Sequence, residues 1–328
     1  SRDFIYRFDP VSQRLIKTAQ PPLFNGTQSN YFNNMIEDRQ GNLWIATRRN
    51  GVFRYNPADN TFINFNSQTG DGKTMSNYIT SLAPDAVGRV WIGGPRGCLS
   101  YFDITQNKII AINTLKDNSG VDNNQVHAIA ADSKGNIWVG TVSGLCVFES
   151  TSKTPVLKKT YTARDGLRAD IALSICEDED GKIWCITPSA LCKIDPLTSN
   201  ISSFGIPDGL RYSAIGERLM RGTNKKMIIA AWKGYHSFNP ASLEIKRSTA
   251  GLDITTFTVN GKERHIKDQL EKNGRIELSA EENLFTFEFA AIGFNEANRQ
   301  QYAYMLEGVD EDWIQSGSRR FANYSNLP

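Results

Sequence analysis

The sequence predicts an all-β protein in which β-propeller blades precede a β-sandwich. A Gly-x-apolar-Trp-apolar motif recurs, with its glycine at Gly41, Gly88, Gly135 and Gly181. Successive glycines are 47, 47 and 46 residues apart, a period typical of four-stranded propeller blades. After residue 250 the motif stops, and short runs alternate apolar and polar residues as half-buried strands do. We therefore predict a propeller domain at 1–250 and a sandwich domain at 251–328.

A tight turn is predicted just before each repeated tryptophan. In the first copy, Asp38 suits the start of a type I turn and Gly41 the left-handed position that follows. This turn places Ile36 opposite Trp44 across a hairpin. The equivalent turns run from Asp85, Asp132 and Asp178 to the glycines of the other copies. We interpret these aspartates as turn formers and not as catalytic acids.

The chain opens in the middle of a blade, because residues 4–10 match 52–57 in the second half of a repeat. Residues 14–17 are then expected to form the outer strand of that first blade. Full units are predicted to begin near Asn33, Asn77, Asn124, Asp170 and Ser213. The fifth unit is degenerate, with Ile228 where the others carry tryptophan.

Each unit is predicted to form four strands, as at 34–37, 43–47, 52–55 and 62–65. Both faces of such a sheet are apolar, so it must be covered by a neighbour on each side, as in a radial ring. About five and a half blades are visible. We expect the ring to include polypeptide upstream of residue 1, about one and a half blades if it has seven.

The second domain is predicted from a strand at 253–262 that runs into an Asn-Gly turn. Period-two strands are predicted at 276–278, 284–289 and 302–306. The sequence ends before a sandwich of ordinary size is complete. We therefore expect this domain to be truncated.

Composition excludes several classes of partner. A net charge of +2 gives no general attraction to nucleic acid or to anionic membranes. No apolar run approaches the roughly 20 residues that cross a bilayer, so membrane attachment would need segments outside this sequence. The five cysteines are an odd number and are interpreted as buried thiols. In the predicted register, Cys176 lies opposite Trp184, and Ile175 lies opposite Cys185.

Two motifs together resemble a known family. The repeat Asp-x-x-Gly-x-Leu-Trp-Ile, followed by Gly-Val/Leu-x-x-Tyr/Phe, resembles the two-component regulator propeller repeat. Residues 302–313 (YAYMLEGVDEDW) and 324–328 (YSNLP) resemble the Y_Y_Y domain, an immunoglobulin-like sandwich. In this order they are similar to the extracytoplasmic sensor of hybrid two-component systems that regulate glycan utilisation in gut bacteria.

The resemblance implies a periplasmic sensing portion of an inner-membrane histidine kinase, with an oligosaccharide as the signal. It also implies an upstream propeller in the same chain and a homodimer through the sandwich. The sandwich would relay ligand binding toward the membrane and so to transcription. From the residues themselves, we expect no enzymatic activity for this fragment, no cofactor and no metal.

Basic and aromatic residues gather in the loops predicted to share one end of the propeller. Arginine binds carboxylate or sulfate bidentately, and exposed tryptophan or tyrosine can stack on a sugar ring. The candidate ligand residues are Arg48, Arg49, Arg96, Arg168, Arg211, Tyr212, Trp232 and Lys233. Trp232 is favoured because it falls outside the packing register. These residues suit an anionic glycan or a neighbouring domain.

Catalytic motifs are weak in this sequence. The three histidines, His127, His236 and His265, are scattered, and no His-x-x-x-His, Cys-x-x-Cys or Gly-x-Ser-x-Gly pattern occurs. Two alternatives stay open. One is a propeller lyase or hydrolase acting on polysaccharide, and the other is a protein-interaction scaffold without a sugar ligand.

Overall fold

A computed structural model gives the fold of the chain. It describes residues 4–23, 29–68, 76–95, 98–112, 125–205, 218–231, 234–243, 251–266, 274–292, 302–317 and 319–325. The chain divides into two compact units, Ser1–Glu244 and Ile245–Pro328. Both are built from antiparallel strands, and the predicted all-β class, with propeller blades before a second β-rich domain, is confirmed.

The described part of the first unit contains a half-blade and five blades, A to E. The half-blade pairs β1 (Ile5–Asp9) with β2 (Arg14–Ala19), as predicted. Blade A contains β3 (Phe32–Glu37), β4 (Leu43–Thr47), β5 (Val52–Asn56) and β6 (Thr61–Phe65), and blade B contains β7 (Ser81–Pro84), β8 (Val90–Gly93), β9 (Leu99–Asp103) and β10 (Lys108–Ala111). Blade C contains β11 (Val126–Ala131), β12 (Asn136–Thr141), β13 (Gly144–Glu149) and β14 (Val156–Tyr161). Blade D contains β15 (Ser174–Glu177), β16 (Ile183–Ile186), β17 (Leu191–Ile194) and β18 (Ile201–Phe204), and blade E contains β19 (Arg218–Arg221), β20 (Met227–Ala231) and β21 (Gly234–Phe238).

The turn before each repeated tryptophan has the predicted geometry. The backbone N–H of Gly41 donates to the carbonyl oxygen of Asp38 at 3.0 Å, and Gly41 has a φ of 80°. Ile36 lies opposite Trp44 and Met35 lies opposite Ile45. The Asp-to-Gly spacing therefore fixes the hairpin register of the blade.

The apolar faces are buried between neighbouring sheets, as the two-sided pattern required. Trp44 packs with Phe102 of blade B, and Trp91 packs with Phe148 of blade C. Trp138 and Trp184 occupy the corresponding clusters shared by blades C and D and by blades D and E. All four tryptophans are at most 1% exposed. Each blade thus completes the core of the next, which is how propeller sheets lose their exposed faces.

Blade E departs from the repeat at the turn. Ile228 takes the tryptophan position, opposite Met220 on one side and Ser237 on the other. Its turn closes through a hydrogen bond from the N–H of Gly222 to the carbonyl of Lys226 at 2.8 Å. No aspartate stands at this corner, which matches the loss of its tryptophan partner.

The second unit contains a four-stranded sheet and a two-stranded sheet in its described residues. Their strands are β22 (Gly251–Val259), β23 (Lys262–Glu263), β24 (Leu284–Ile292), β25 (Tyr302–Tyr304), β26 (Ile314–Gly317) and β27 (Phe321–Ser325). The larger sheet has the order β23-β22-β24-β27, and β25 pairs with β26. The strand predicted at 276–278 is wrong. Because β22 pairs directly with β24, Ile276 and Leu278 instead reach the core from a loop.

The cysteines lie in blades B, C and D and are all free thiols. Four are buried and Cys176 is half-buried. The predicted pairs of Cys176 with Trp184 and of Ile175 with Cys185 are confirmed. On its other side, Cys185 lies directly opposite Cys192, a neighbour that the sequence analysis did not identify.

Candidate ligand-binding site

One carboxylate holds the corner end of each blade from A to D, where the first hairpin turns. In blade A, Asp38 accepts the backbone N–H groups of Gln40 and Asn42, and it accepts the indole N–H of Trp44 at 2.7 Å. The same aspartate-to-tryptophan bond measures 3.0, 2.8 and 2.7 Å in blades B, C and D. The four corner aspartates are therefore turn formers, as predicted, and they also anchor the core tryptophans.

These hydrogen-bond donors stabilise the ionised form of the Asp38 carboxyl group. Burial raises the pKa of its carboxyl, but the hydrogen bonds from Trp44, Asn42 and Gln40 outweigh this effect, so the pKa lies below its ordinary value. The carboxylate is thus ionised at neutral pH while it is almost fully buried.

Blade B adds a buried ion pair at its corner. Asp85 accepts hydrogen bonds from Arg89 Nε at 2.6 Å, Trp91 Nε1 at 3.0 Å and Ser150 Oγ at 2.7 Å. The guanidinium of Arg89 also donates to the carbonyl oxygens of Ser152 and Lys153 in the connection after β13. This corner therefore ties blade B to blade C and is occupied by structural contacts.

The opposite end of the blades carries Arg48, Arg49 and Arg168, the predicted ligand residues that the structure describes. We call it the loop face, and it comprises the 48–51 turn and the segments that lead into β3, β7, β11 and β15. The 48–51 turn is rigid, because Thr47 Oγ1 donates to the carbonyl of Gly51 and accepts the N–H of Asn50, each at 2.9 Å. The N–H of Arg48 donates to the carbonyl of Tyr31 at 3.0 Å. The turn is thus fixed to the start of β3, the first and innermost strand of blade A.

Arg48 and Arg49 project from this rigid turn with exposed side chains. The Arg48 guanidinium carbon lies 5.6 Å from the ring centroid of Tyr78 in the segment before β7. The Arg49 guanidinium carbon lies 5.3 Å from the ring centroid of Tyr31. Each arginine is therefore paired with an aromatic ring, and neither contacts a carboxylate in the described residues.

The other predicted residues have different outcomes. Arg168 follows the 3-10 helix Ala163–Asp165, and its side chain is exposed. Its backbone N–H donates a hydrogen bond to the sulfur of Cys192. No contact in the described residues joins Arg168 to Arg48 or Arg49. The remaining five, Arg96, Arg211, Tyr212, Trp232 and Lys233, lie outside the described residues.

A polar cavity of about 430 Å³ lies among the innermost strands of blades A to E. Tyr78 is part of its wall, so the ring beneath Arg48 lies at the edge of this cavity. None of the described residues that line it is acidic. Its lining includes Asn33, Asn34, Tyr78, Thr80, Ser81, Gln125, His127, Ser174 and Arg218.

Several polar groups of this lining hold one blade to the next. The Asn33 amide donates to the carbonyl of Ile79 at 2.7 Å, and the Thr80 hydroxyl donates to the carbonyl of Val126 at 2.6 Å. The hydroxyl of Ser81 accepts the backbone N–H of Ile129, and that of Ser174 accepts the N–H of Leu219, each at 2.9 Å. These side chains therefore hold neighbouring blades together.

His127 and Arg218 are the cavity residues that the sequence analysis missed as ligand candidates. His127 is half-buried and makes no hydrogen bond within the described residues, and burial lowers the pKa of its imidazole. Arg218 is exposed and donates one hydrogen bond from its guanidinium to the carbonyl of Asn33 in blade A. Aligning the blades on their repeated tryptophan, or on Ile228 in blade E, and comparing the residues 10 and 11 positions earlier would have singled out both.

The chemistry of this end is that of a binding surface. Arginine guanidinium groups, a neutral imidazole, phenols and carboxamides can bind anions and hydroxyl groups. In the described residues no group of three His, Cys, Asp or Glu side chains is placed to hold a metal ion. No helix found in that same part of the chain has the length and apolarity to span a membrane.

Two protein-family models match parts of the chain. The model described as "Two component regulator propeller" matches residues 26–49, 75–96 and 120–143, and the "Y_Y_Y domain" model matches residues 293–328. The chain therefore carries two component regulator propeller repeats followed by a Y_Y_Y domain. The comparison with curated proteins finds no match.

Solved structures share the fold at low sequence identity. The extracellular domain of a proposed hybrid two component system from B. thetaiotaomicron is 22% identical, with a TM-score of 0.67 over 98% of this chain and 46% of that chain. A second such domain from B. thetaiotaomicron is 15% identical, with a TM-score of 0.52 over 99% of this chain and 56% of that one. Virginiamycin B lyase from Staphylococcus aureus is 13% identical, with a TM-score of 0.54 over 76% and 80%. The chain spans about half the length of the two extracellular domains, and these likenesses concern the fold alone.

Proposed function

We propose that this chain, with its two component regulator propeller repeats and Y_Y_Y domain, is the ligand-sensing part of a periplasmic receptor. The propeller binds an oligosaccharide at the loop face, and the second unit relays that binding toward a membrane helix and a histidine kinase outside this sequence. The response is a change in transcription of genes for use of the same glycan. The extracellular domains of similar fold support the sensing role.

The observation that carries the proposal is the placement of Arg48 beside the polar cavity. Its guanidinium lies over Tyr78, which lines a cavity whose described residues include no acid. Arginine favours carboxylate and sulfate because its planar fork binds both oxygens. An aromatic ring beside it offers an apolar surface with a polar edge, which suits the face of a sugar. We therefore assign an anionic oligosaccharide as the ligand class.

The rigidity of the 48–51 turn supports the same conclusion. Thr47 and the carbonyl of Tyr31 hold the backbone of this turn. The backbone that carries the two arginines therefore does not have to become ordered when a ligand binds. Preorganisation of this kind lowers the entropic cost of association. It also distinguishes these arginines from solvated side chains on an unrestrained loop.

The test is a binding screen of the chain against neutral, uronic-acid and sulfated oligosaccharides. A ligand that binds only the folded form raises the melting temperature, and calorimetry then gives its Kd. We expect an anionic oligosaccharide to bind, and the double variant Arg48→Ala with Arg49→Ala to weaken binding at least tenfold, about 1.4 kcal/mol.

Arg14→Ala provides the matched control. Arg14 is also an exposed arginine, but it lies in β2 next to the turn that joins β1 and β2, at the corner end of the half-blade. Its substitution should leave the Kd unchanged. The proposal is wrong if no oligosaccharide binds, if the double variant binds as tightly as the native chain, or if the chain converts the bound sugar chemically.

A further inference from the structure

We propose that the cavity among the innermost strands of blades A to E receives the carboxylate of an acidic sugar residue, with Arg218 and His127 as its binding groups. This inference rests on the proposed function, because it names the part of the ligand that enters the ring. The cavity, at about 430 Å³, falls within the range of about 300–1,000 Å³ found for small-molecule pockets. The described part of its wall supplies cationic and neutral polar groups and no acidic one.

Arg218 occupies a position where the other blades have small residues. The residue after it, Leu219, donates its backbone N–H to the hydroxyl of Ser174 in blade D. In the same way, Ile129 of blade C donates its backbone N–H to the hydroxyl of Ser81 in blade B. Arg218 is therefore the structural equivalent of Ala128. The corresponding residues in blades A, B and D are Asn34, Ser81 and Ser174. A long cation in place of a small side chain is not needed to pack the ring.

The guanidinium of Arg218 is held by one hydrogen bond and has further N–H donors that no described residue uses. One N–H group donates to the carbonyl of Asn33, on the first blade of the described ring. A guanidinium has five N–H donors, and no other hydrogen bond or ion pair of this group occurs among the described residues. It therefore keeps donors for an anion while its position is fixed from a second blade.

His127 is the exception in a second series of equivalent positions. Asn33, Thr80 and His127 are 47 residues apart, and Asn33 and His127 each lie at a register shift in the innermost strand. Asn33 and Thr80 bond a carbonyl of the following blade, whereas His127 makes no such bond in the described structure. A half-buried polar group without a protein partner is normally satisfied by water or by a ligand.

The remaining lining suits a sugar rather than a bare anion. Tyr78, Gln125 and Asn34 line the cavity and make no side-chain hydrogen bond within the described residues. A phenol and two carboxamides can each donate to and accept from hydroxyl groups. A ligand whose carboxylate binds Arg218 and whose hydroxyl groups bind these three residues has the chemistry of a uronic acid.

Binding should depend on pH through His127. Burial lowers the pKa of this imidazole, so it is neutral at pH 7 without a ligand. A carboxylate bound beside it favours the protonated form and raises its pKa, so binding takes up a proton and becomes tighter as pH falls. The other ionisable side chains of the described lining are those of Arg218 and Tyr78.

The experiment is a calorimetric titration of the chain with galacturonate and glucuronate at pH 6 and pH 8, beside galactose, acetate and sulfate. We expect both uronates to bind more tightly at pH 6, and the three comparison compounds to bind at least tenfold more weakly. Arg218→Ala should weaken uronate binding at least tenfold, and His127→Gln should remove the difference between the two pH values.

Arg221→Ala is the matched control, because Arg221 lies on the same strand and also donates to a backbone carbonyl of another blade, that of Glu177. It does not line the cavity, so its substitution should leave uronate binding unchanged. The inference is overturned if Arg218→Ala and Arg221→Ala have equal effects, or if acetate and sulfate bind as tightly as the uronates. It is also overturned if no uronate binds while an oligosaccharide still binds through Arg48 and Arg49, a result that leaves the proposed function intact.

Discussion

The two ends of the blades differ in how far they obey the repeat. At the corner end, an aspartate, a glycine and a tryptophan return at fixed spacing in blades A to D, and each aspartate bonds its tryptophan. At the loop face, the equivalent innermost positions carry Asn33, Thr80, His127 and Leu173. The comparison teaches that the period of the sequence records packing, whereas departures from the period record what this particular propeller can bind.

The largest expected effect is at the corner of blade B. Asp85→Ala would leave the Arg89 guanidinium buried without its carboxylate and the Trp91 N–H without its acceptor. Removing one partner of a buried pair costs about 3–5 kcal/mol. We expect a loss of this size in the free energy of unfolding, measured by urea denaturation followed by circular dichroism.

Asp180→Ala is the control for this prediction. Asp180 is an exposed acid in the corner of blade D, and its carboxylate makes no bond within the described residues. Its substitution should change the free energy of unfolding by less than about 0.5 kcal/mol. Equal losses for the two variants would contradict the assignment of Asp85 as a structural anchor.

A smaller effect is expected from adding a methyl group to the turn at the loop face. Gly51 has a φ of 70°, and a Cβ atom there would overlap the carbonyl oxygen of Phe65. Gly51→Ala should therefore cost more than the roughly 1–2 kcal/mol of the left-handed conformation alone. Gly41→Ala sharpens the comparison, because Gly41 also has a positive φ but the nearest atom to its Cβ position, outside the adjoining residues, is a glutamate oxygen at 3.9 Å. A smaller loss of melting temperature for Gly51→Ala than for Gly41→Ala would show that the 48–51 turn is not rigid.

The acid dependence of stability should reveal the corner carboxylates. The pKa of Asp38 in the folded chain lies below its ordinary value, so its contribution is present above the unfolded-state pKa of about 3.9 and is lost as pH falls through the folded value. Asp38→Asn should lower stability at pH 7 by about 1 kcal/mol and flatten the decline below pH 4. Denaturation curves from pH 7 to pH 2 test this, and an unchanged acid slope in the variant would argue against it.

The smallest effect on stability is expected at the loop face itself. Arg49 is exposed, and its contact in the described structure is with the ring of Tyr31 at 5.3 Å. Arg49→Ala should shift the free energy of unfolding by less than about 0.5 kcal/mol while weakening the binding of an anionic oligosaccharide. A large loss of stability without loss of binding would reverse the roles that we assign to the two ends.

The corner end was predictable because its determinants are local in sequence. Asp38, Gly41 and Trp44 lie within seven residues, so their spacing alone specified the turn and the register. The bond between the aspartate and the tryptophan was not predicted, since turn propensity explains the aspartate without it. The strand expected at 276–278 was wrong because alternating apolar residues can also pack from a loop.

The cavity was not predictable in the same way. Arg218 and Asn33 are 185 residues apart and meet only because the blades are arranged around one centre. In the sequence His127 is an ordinary strand residue, and only the fold shows that Asn33 and Thr80 bond the following blade from the equivalent position. Arg48 was identified from its charge and loop position, but its place beside Tyr78 required the fold.

Hydrogen exchange in the presence and absence of a galacturonic acid trisaccharide tests the central claim most directly, because it reads both ends of the blades in one sample. We expect slower exchange with the ligand at residues 31–34, 48–51 and 125–129, and no change at the corners 38–42 and 132–136. Protection at the corners, or equal protection at both ends, would contradict it.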